Sequence, residues 1–458
     1  MPVNTFHRKY EAAQSAWEKV RHGIEGEDMV KAQGSKYLPV PPGLKKGEAS
    51  EEYQNYKIRA RYPETLSSAV EGMVGLMGRK INRHELPEAL QYMYSKATLD
   101  GLTLDDLQRR VWHEVSAAGR IVLLLDAPAE EGEPYIATYA AESVINWSGD
   151  ADRIYRVVFQ EEVEAPNPED RFDPEIILQW RVAELDVSEG GEAVYVIRVY
   201  RQAEGNKDEF VMVEEHFPEV PGVDFDGVPV DFIGSRDLEP EPDAIPLLPA
   251  ANKALHYYRQ YADFAMNLFM SANGTTPYGT GVAASEAPTT VGPTEFWYAE
   301  NPGANFGFAE ITGAGLASQK EELENIKAEI ASATIRVLGE KKAAEAAETL
   351  RLRFQSQTAT LTSISQSCTA GLTRALRRAA RWVGANPDEV RQDATVQFIS
   401  EEPDPQVMTA LYDGIERGLT PDELLIEYLR RVELHDMDPE DYRKWSAGLM
   451  ALEGGDDG

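Results

Sequence analysis

The hydrophobic period of the chain changes at Gly119, and the change limits which folds are open to it. Residues 102–118 have helical spacing. Thr103 stands where an N-cap belongs, and Asp105 and Asp106 fall in the first turn, where carboxylates favour the helix dipole. Directly after Gly119, Arg120 to Asp126 (RIVLLLD) reads as a buried strand, and Tyr135 to Tyr139 (YIATY) as another. Strand-like runs continue at 153–163, 175–181, 193–200, 210–215 and 228–233, separated by polar, Pro- or Gly-containing turns. Strands that follow one another without intervening helices do not build a doubly wound sheet. The expectation is an α+β fold with a mainly antiparallel β-rich middle region over 120–245 and helical regions on both sides.

Helical spacing resumes at Pro246. PLLPAANKALHYYRQYADFAMNLFMSANGTTPYGTG (246–281) opens with prolines that keep the chain extended before a helix starts. Leu255, Tyr258, Ala262, Ala265, Met266 and Phe269 share one face, and Asn273-Gly274 marks the end of the helix. Further on, Ser318-Gln-Lys-Glu321 reads as a capping box ahead of an apolar stripe at Leu323, Ile326, Ile330, Ala333 and Val337. A helix over about 357–383 buries Leu361, Ile364, Cys368, Leu372 and Leu376 and stops at Gly384. Thr420-Pro-Asp-Glu423 starts another that runs to about Val432. In the N-terminal part, helices are expected from Phe6 to about Arg21 and over 51–78, interrupted near Pro63. The segment 66–78 carries Gly72, Gly75 and Gly78, where another backbone can approach closely. EGGDDG at the end reads as disordered.

Composition narrows the function classes. A chain of 458 residues exceeds one ordinary hydrophobic core. No apolar run reaches membrane-spanning length, and the first residues lack the apolar segment of a secretory signal. One cysteine, Cys368, excludes an internal disulfide framework and a cysteine-based zinc site. The formal charge of −33 is the wrong sign for gripping phosphate backbones, though it does not exclude a protein that lets nucleic acid slide past without sticking. No phosphate loop, dinucleotide fingerprint, His-Glu-x-x-His or Gly-x-Ser-x-Gly occurs. His84-Glu85 and His113-Glu114 lack a second histidine at helical spacing, Cys368 reads as a small buried hydrophobe, and Asp224-Phe-Asp226-Gly227 as a solvated acidic turn. No catalytic residue, metal site or cofactor is therefore expected. Arg374, Arg378 and Arg381 fall on one helix face, with Arg377 beside it. They read either as a solvated face near a helix C-terminus or as part of a basic ring in an assembly, touching DNA or neighbouring acids.

Four stretches, in order, resemble the portal (head-to-tail connector) proteins of tailed bacteriophages. They are GLTLDDLQRRVWHEVSAAGRIVLLLDAP with the following PYIATYAAESVINW, the 246–281 block, GFAEITGAGLASQKEELENIKAEIASATIRVLG, and ETLRLRFQSQTATLTSISQSCTAGLTRALRRAARWVG. Together they span about 100–385. The resemblance implies a homo-oligomeric ring, of twelve subunits in most members, at one capsid vertex, through which double-stranded DNA is packaged and ejected. Its implied partners are itself, the terminase, a head-tail adaptor, and capsid and scaffold proteins, with no membrane; its implied place is the virion, assembled in the host cytoplasm.

By that likeness 1–119 is a helical wing region, 120–245 a β-rich wing and clip region, 246–281 a stem-like helix with an extended segment, 282–400 wing and channel-proximal helices with a tunnel loop near 338–350, and 401–458 a crown-like region with a disordered tail. Leu255, Tyr258, Ala262 and Phe269 become candidates for packing between subunits. Asp263, Lys341, Lys342, Arg374, Arg378 and Arg381 become candidates for facing the channel or DNA. Two other functions compete: a head-completion or tail adaptor of the same particle, which commonly needs a much shorter chain, and a DNA-processing enzyme, for which the chemistry is missing.

Overall fold

The computed structural model describes residues 2–42, 47–79, 84–128, 132–167, 170–187, 193–203, 205–218, 226–272, 276–283, 285, 296–309, 313–334, 347–394, 405–417 and 422–431. The fold is α+β, and the chain divides into two compact units, Met1–Thr395 and Val396–Gly458.

The larger unit begins with helices α1 (Arg8–Glu25), α2 (Glu27–Ala32), α3 (Glu51–Arg59) and α4 (Leu66–Met77), then a two-residue strand β1 (His84–Glu85) and helix α5 (Leu104–Ala118). The break between α3 and α4 falls at Pro63, as the sequence indicates. The Thr103 side chain caps α5 by accepting from the Asp106 amide. Gly119 ends that helix with φ of 73°, and a Cβ there would lie 2.6 Å from the Ala244 carbonyl oxygen. Glycine satisfies both conditions, so the chain reverses into strand β2 (Arg120–Asp126) within one residue. A cross-chain tie fixes α1 against α5: the Arg21 guanidinium bonds Glu114 (Nη2–Oε2 2.5 Å) and Glu142 (Nε–Oε1 2.8 Å).

Beyond β2 come β3 (Tyr135–Ala140), β4 (Val144–Gly149), β5 (Ile154–Ala165), β6 (Glu175–Val187), β7 (Ala193–Ala203), β8 (Asn206–His216) and β9 (Val230–Gly234). They form two antiparallel sheets, one of order β3-β2-β9 and one of order β4-β5-β6-β7-β8. Every residue of β2 is buried, as its uninterrupted apolar run requires. Tyr139 of β3 stacks on Phe159 of β5 at 3.9 Å. Arg181 of β6 bridges Asp126 of β2 at 2.8 Å and Glu161 of β5 at 3.0 Å, so the contact between the sheets is partly ionic. A second ladder crosses the larger sheet from Arg156 to Glu184, Arg198 and Glu215, each link 2.8 Å. Strand β4 lies at the sheet edge without being bare: the His7 amide donates to the Ile145 carbonyl, and Asn146 Nδ2 to the Thr5 carbonyl, both at 2.8 Å.

Helix α6 (Leu248–Ala272) follows, then the hairpin strands β10 (Thr276–Thr280) and β11 (Asn305–Ala309), helix α7 (Leu316–Ala333), the 36-residue helix α8 (Ala347–Trp382) and strand β12 (Arg391–Gln392), which pairs with β1. The smaller unit contains α9 (Pro405–Glu416) and α10 (Asp422–Arg431).

Three expectations need correction. Helix α7 starts at Leu316 behind Gly315, with no side-chain cap, so Ser318 lies in its first turn and the supposed capping box does not cap. Helix α8 starts about ten residues earlier than its apolar stripe suggests. The Ala- and Glu-rich start favours helix, so residues 347–350 are helical and the expected tunnel loop cannot extend over them. Residues 335–346, which hold the rest of that loop together with Val337, Lys341 and Lys342, lie outside the described residues, as do Asn273-Gly274 and the cap at Thr420.

The Arg21 tie gives the fold an acid sensitivity. Burial alone would raise the Glu114 carboxyl, but hydrogen bonds from His113 and Arg21 outweigh it and bring it down from 4.5 to about 2. A carboxyl depressed on folding stabilises fully above its unfolded value and loses that contribution as pH falls toward its folded one. Urea midpoints of the wild type should therefore fall between about pH 5 and pH 2 more steeply than those of Glu114→Gln. Parallel curves for the two proteins would show that the tie contributes nothing.

Candidate functional site

Helix α6 is held along much of its length by the chain's own elements. Ala250, Ala251, Ala254, Leu255, Tyr257, Tyr258 and Ala262 are all buried. On one side the Tyr62 ring meets Tyr258 edge-on at 6.3 Å, Tyr56 donates to Asp263 Oδ1 at 2.6 Å, and Arg259 Nε donates to the Tyr37 carbonyl at 2.8 Å. On the other side α7 supplies an ion pair from Glu329 to Lys253 and a hydrogen bond from Asn267 Nδ2 to Gln319 Oε1 at 3.3 Å. Leu255, Tyr258 and Ala262, expected to pack between subunits, are among these buried residues. They are 3%, 0% and 0% exposed within one chain, which leaves a neighbour almost none of their surface. Phe269 differs. It is 42% exposed, with the Arg59 guanidinium 3.9 Å above its ring.

Asp263 lies on the exposed side of α6 and accepts the Tyr56 hydroxyl. Burial, with that carboxylate as a second cause, pushes the Tyr56 hydroxyl well above its usual range, so it stays a donor at any ordinary pH.

The arginine face of α8 is only partly a solvated face. Arg374 and Arg378 both reach Asp231 on β9, whose side chain is 1% exposed; Arg374 also donates from Nη1 to the Ala151 carbonyl at 2.8 Å. A carboxylate this buried needs cations, and two of the three candidate arginines supply them. They are committed inside the chain and do not form a free basic patch. Arg381 is exposed at the end of α8. The same helix face brings Ser363 Oγ to the Ser235 carbonyl at 3.0 Å and Ser367 Oγ to the Gly234 carbonyl at 2.8 Å. It also sets Gly371 against Ile233 so closely that a Cβ would overlap that side chain.

The structure also exposes residues that no sequence signal singled out. The β10–β11 hairpin forms its own two-stranded sheet. Around it Tyr278, Phe296, Tyr298 and Phe308 are exposed, Phe296 to 87%, while the Trp297 ring stands 5.3 Å from that of Phe308. Their signal was available only as scattered aromatics in a Gly- and Pro-rich stretch, with no period to follow. A different signal marked Asp231, the lone acid in the apolar run VPVDFIG.

Among the described residues there is no cluster of His, Cys, Asp and Glu able to hold a metal ion, and no helix long and apolar enough to cross a membrane. His84 is taken up by Gln392 (2.9 Å) and Asp105 (3.2 Å). The Cys368 thiol is buried and pushed well above its usual range by desolvation, which makes it inert.

A family described as a domain of unknown function (DUF4055) matches residues 246–383, the stretch from the start of α6 to the end of α8 and under a third of the chain. No curated protein matches. Among solved structures the chain is similar to one from the virion of a native gene transfer agent particle, with 14% identity, a TM-score of 0.36, and coverage of 86% of this chain and 93% of that one. A structure of the neck of an empty particle, computed with C6 symmetry, gives 12% identity, a TM-score of 0.38 and coverage of 79% and 89%. Another, of the neck of a native particle with C12 symmetry, gives 13%, 0.32, and 77% and 84%. Likenesses this distant do not assign a role.

The Asp231 arrangement predicts an asymmetric mutational response. Asp231→Asn leaves two half-buried guanidinium groups without their acid and should lower stability by about 3 kcal/mol in urea titrations. The triple variant Asp231→Leu, Arg374→Met, Arg378→Met should recover most of that loss. Equal losses in the two proteins would mean that packing, and not charge pairing, holds α8 to β9.

Proposed function

We propose that this chain is a portal-type subunit: many copies form a ring whose channel passes double-stranded DNA into and out of a phage-like particle. What carries the reading is an order of elements. Helix α5, Gly119 and buried strand β2 lead into antiparallel sheets. Then α6 runs into an extended hairpin, α7 packs back on α6, and the long helix α8 follows. That is the order in which the sequence resembles portal proteins. The same reading makes the ring a docking platform for a terminase, a head-tail adaptor, and capsid and scaffold proteins, and places the protein in the virion.

Electrostatics fits the role. Twelve copies carry roughly −400 elementary charges, a field that keeps a polyanion from adhering. Each neutralised phosphate would add salt-dependent affinity, and so drag, to a strand that has to slide. Asp263 and Arg381, both exposed, remain candidates for the channel wall; Arg374 and Arg378 contribute there only if their pairing with Asp231 leaves them some field.

The ring interface is drawn from apolar surface the chain leaves uncovered. Phe269 near one end of α6, and Tyr278, Phe296, Tyr298 and Phe308 around the hairpin, are the candidates. A two-stranded sheet by itself is marginal in water, so a neighbouring copy against this hairpin would stabilise both.

Electron micrographs and mass photometry of the purified protein, alone and with its capsid and scaffold proteins, should show rings of about 0.6 MDa if twelve 50.9 kDa chains assemble. Phe269→Asp should reduce ring formation while leaving helix content and monomer stability unchanged. Ala262→Asp should instead destabilise the monomer by about 3–5 kcal/mol, because it buries a charge without a partner. Monomers under every condition, including capsid assemblies, would refute the proposal. Normal rings from Phe269→Asp would move the interface elsewhere.

A further inference from the structure

Arg120, the first residue of β2, is 1% exposed, and none of its three guanidinium nitrogens has a hydrogen-bond partner among the described residues. Its head group lies 4.3 Å from the Trp147 ring and 4.8 Å from the Phe232 ring. Two aromatic faces compensate part of the lost hydration, but they satisfy none of its five N–H donors. Every other buried or half-buried arginine described above has an acid or a carbonyl: Arg21, Arg181, Arg198, Arg374 and Arg378. Arg120 alone among these is held as a bare cation.

The start of the chain packs against one ring of this cage. Residues 2–7 run along the edge of β4 as a short strap. Two hydrogen bonds fasten it: the His7 amide to the Ile145 carbonyl, and Asn146 Nδ2 to the Thr5 carbonyl. The His7 ring then covers the Trp147 ring at a centroid distance of 4.0 Å. Glu241 is an exposed acid in the loop between β9 and α6. Its charge acts on Arg120 and on His7 alike.

We propose that the pocket around Arg120 is a carboxylate-binding site closed by the N-terminal strap, with Glu241 as the nearest carboxylate to enter when the strap lifts. A guanidinium accepts a carboxylate through two parallel N–H···O bonds, and in a desolvated pocket that pairing is far stronger than at the surface. Trp147 and Phe232 already fix the plane of the group, so little freedom is left to lose on binding. The strap is held by those two hydrogen bonds, the His7–Trp147 and Phe6–Tyr10 ring contacts at 4.0 and 5.0 Å, and the packing of Val3 against the core. Displacing it is therefore a local event that leaves the sheets intact. The site is independent of the ring reading: it depends only on residues of one chain.

The test uses the arginine-selective reagent phenylglyoxal on the full-length protein, with peptide mass spectrometry reading the modification rate at each arginine. His7→Ser removes the ring but keeps an N-cap acceptor for the Lys9 amide, a role His7 now fills. Asn146→Ala releases the strap without touching that cap. In the wild type Arg120 should react at least about tenfold more slowly than exposed Arg381. Either variant should raise the Arg120 rate about tenfold, with unchanged circular dichroism and an unchanged rate at Arg381. Excess acetate should then slow Arg120 and leave Arg381 alone. Adding Glu241→Gln identifies the source: a further rise means Glu241 is the ligand, and no rise with acetate still protecting means the carboxylate comes from outside the chain. Arg120 as unreactive in both strap variants as in the wild type, or reactive but insensitive to acetate and to Glu241, would overturn the proposal.

Discussion

The larger unit depends on one buried carboxylate. Asp231 sits on β9, an edge of the three-stranded sheet, where its side chain has no access to water and would cost several kcal/mol without a cation. Helix α8 supplies two arginines four residues apart, one turn of helix, and they converge on the same oxygen. That requirement fixes both the rotation and the register of a helix of 36 residues. Once Arg374 and Arg378 are in place, Gly371 is brought against Ile233, and Ser367 and Ser363 meet the carbonyls at the turn after β9. The stripe Ser363, Ser367, Gly371, Arg374, Arg378 is thus a docking seam, polar in sequence and half-buried in fact.

Two charged residues on paired strands show how differently a fold can treat burial. Asp231 and Arg120 both belong to the β2–β9 pair, Leu123 facing the first and Gly234 the second. Asp231 is neutralised from α8. Arg120 shares the sheet face of Val122 and Phe232, opposite the Ile233 and Asp231 face that meets α8, and receives only aromatic faces. Desolvation accordingly lowers the Arg120 guanidinium from its usual value, with Glu241 opposing, and the group stays a cation. The asymmetry follows from the pleat: the face carrying Asp231 and Ile233 is covered by α8, and the face carrying Arg120 and Phe232 is covered by aromatic rings.

The sequence made the fold class legible because its period changes sharply. The helix of 102–118, Gly119 and each strand run from 120 to 233 lie where spacing and turn residues put them. Strand β4 was missed because VINWSG is short and alternates poorly. The hairpin β10–β11 was missed because Gly and Pro at 277, 279 and 307 hide its period. The faces of α6 and α8 failed for a more general reason. Periodicity shows which residues share a face but not what covers it. Leu255, Tyr258 and Ala262 were correctly grouped, yet their cover is α3, the preceding loops and α7 of the same chain. The arginines of α8 were grouped too, but a buried acid 143 residues earlier decides their role, and no local pattern records a contact of that range.

That internal use of α6 constrains any assembly the chain makes. A helix already enclosed on two sides acts as a stiff bar. Its enclosed length cannot also be the adhesive, which leaves only the exposed end at Phe269. Copies that each carry −33 repel one another, so association has to come from apolar contact concentrated where charge is sparse. The hairpin meets that condition: Thr276 to Thr280 and Asn305 to Ala309 contain no charged residue, and exposed aromatic rings stand beside them. The ion-pair ladder of the five-stranded sheet, by contrast, is internally neutralised and offers a neighbour little. Division of labour between a rigid core fastened by Asp231 and an uncharged aromatic projection follows from where each sequence segment spent its apolar and ionic groups.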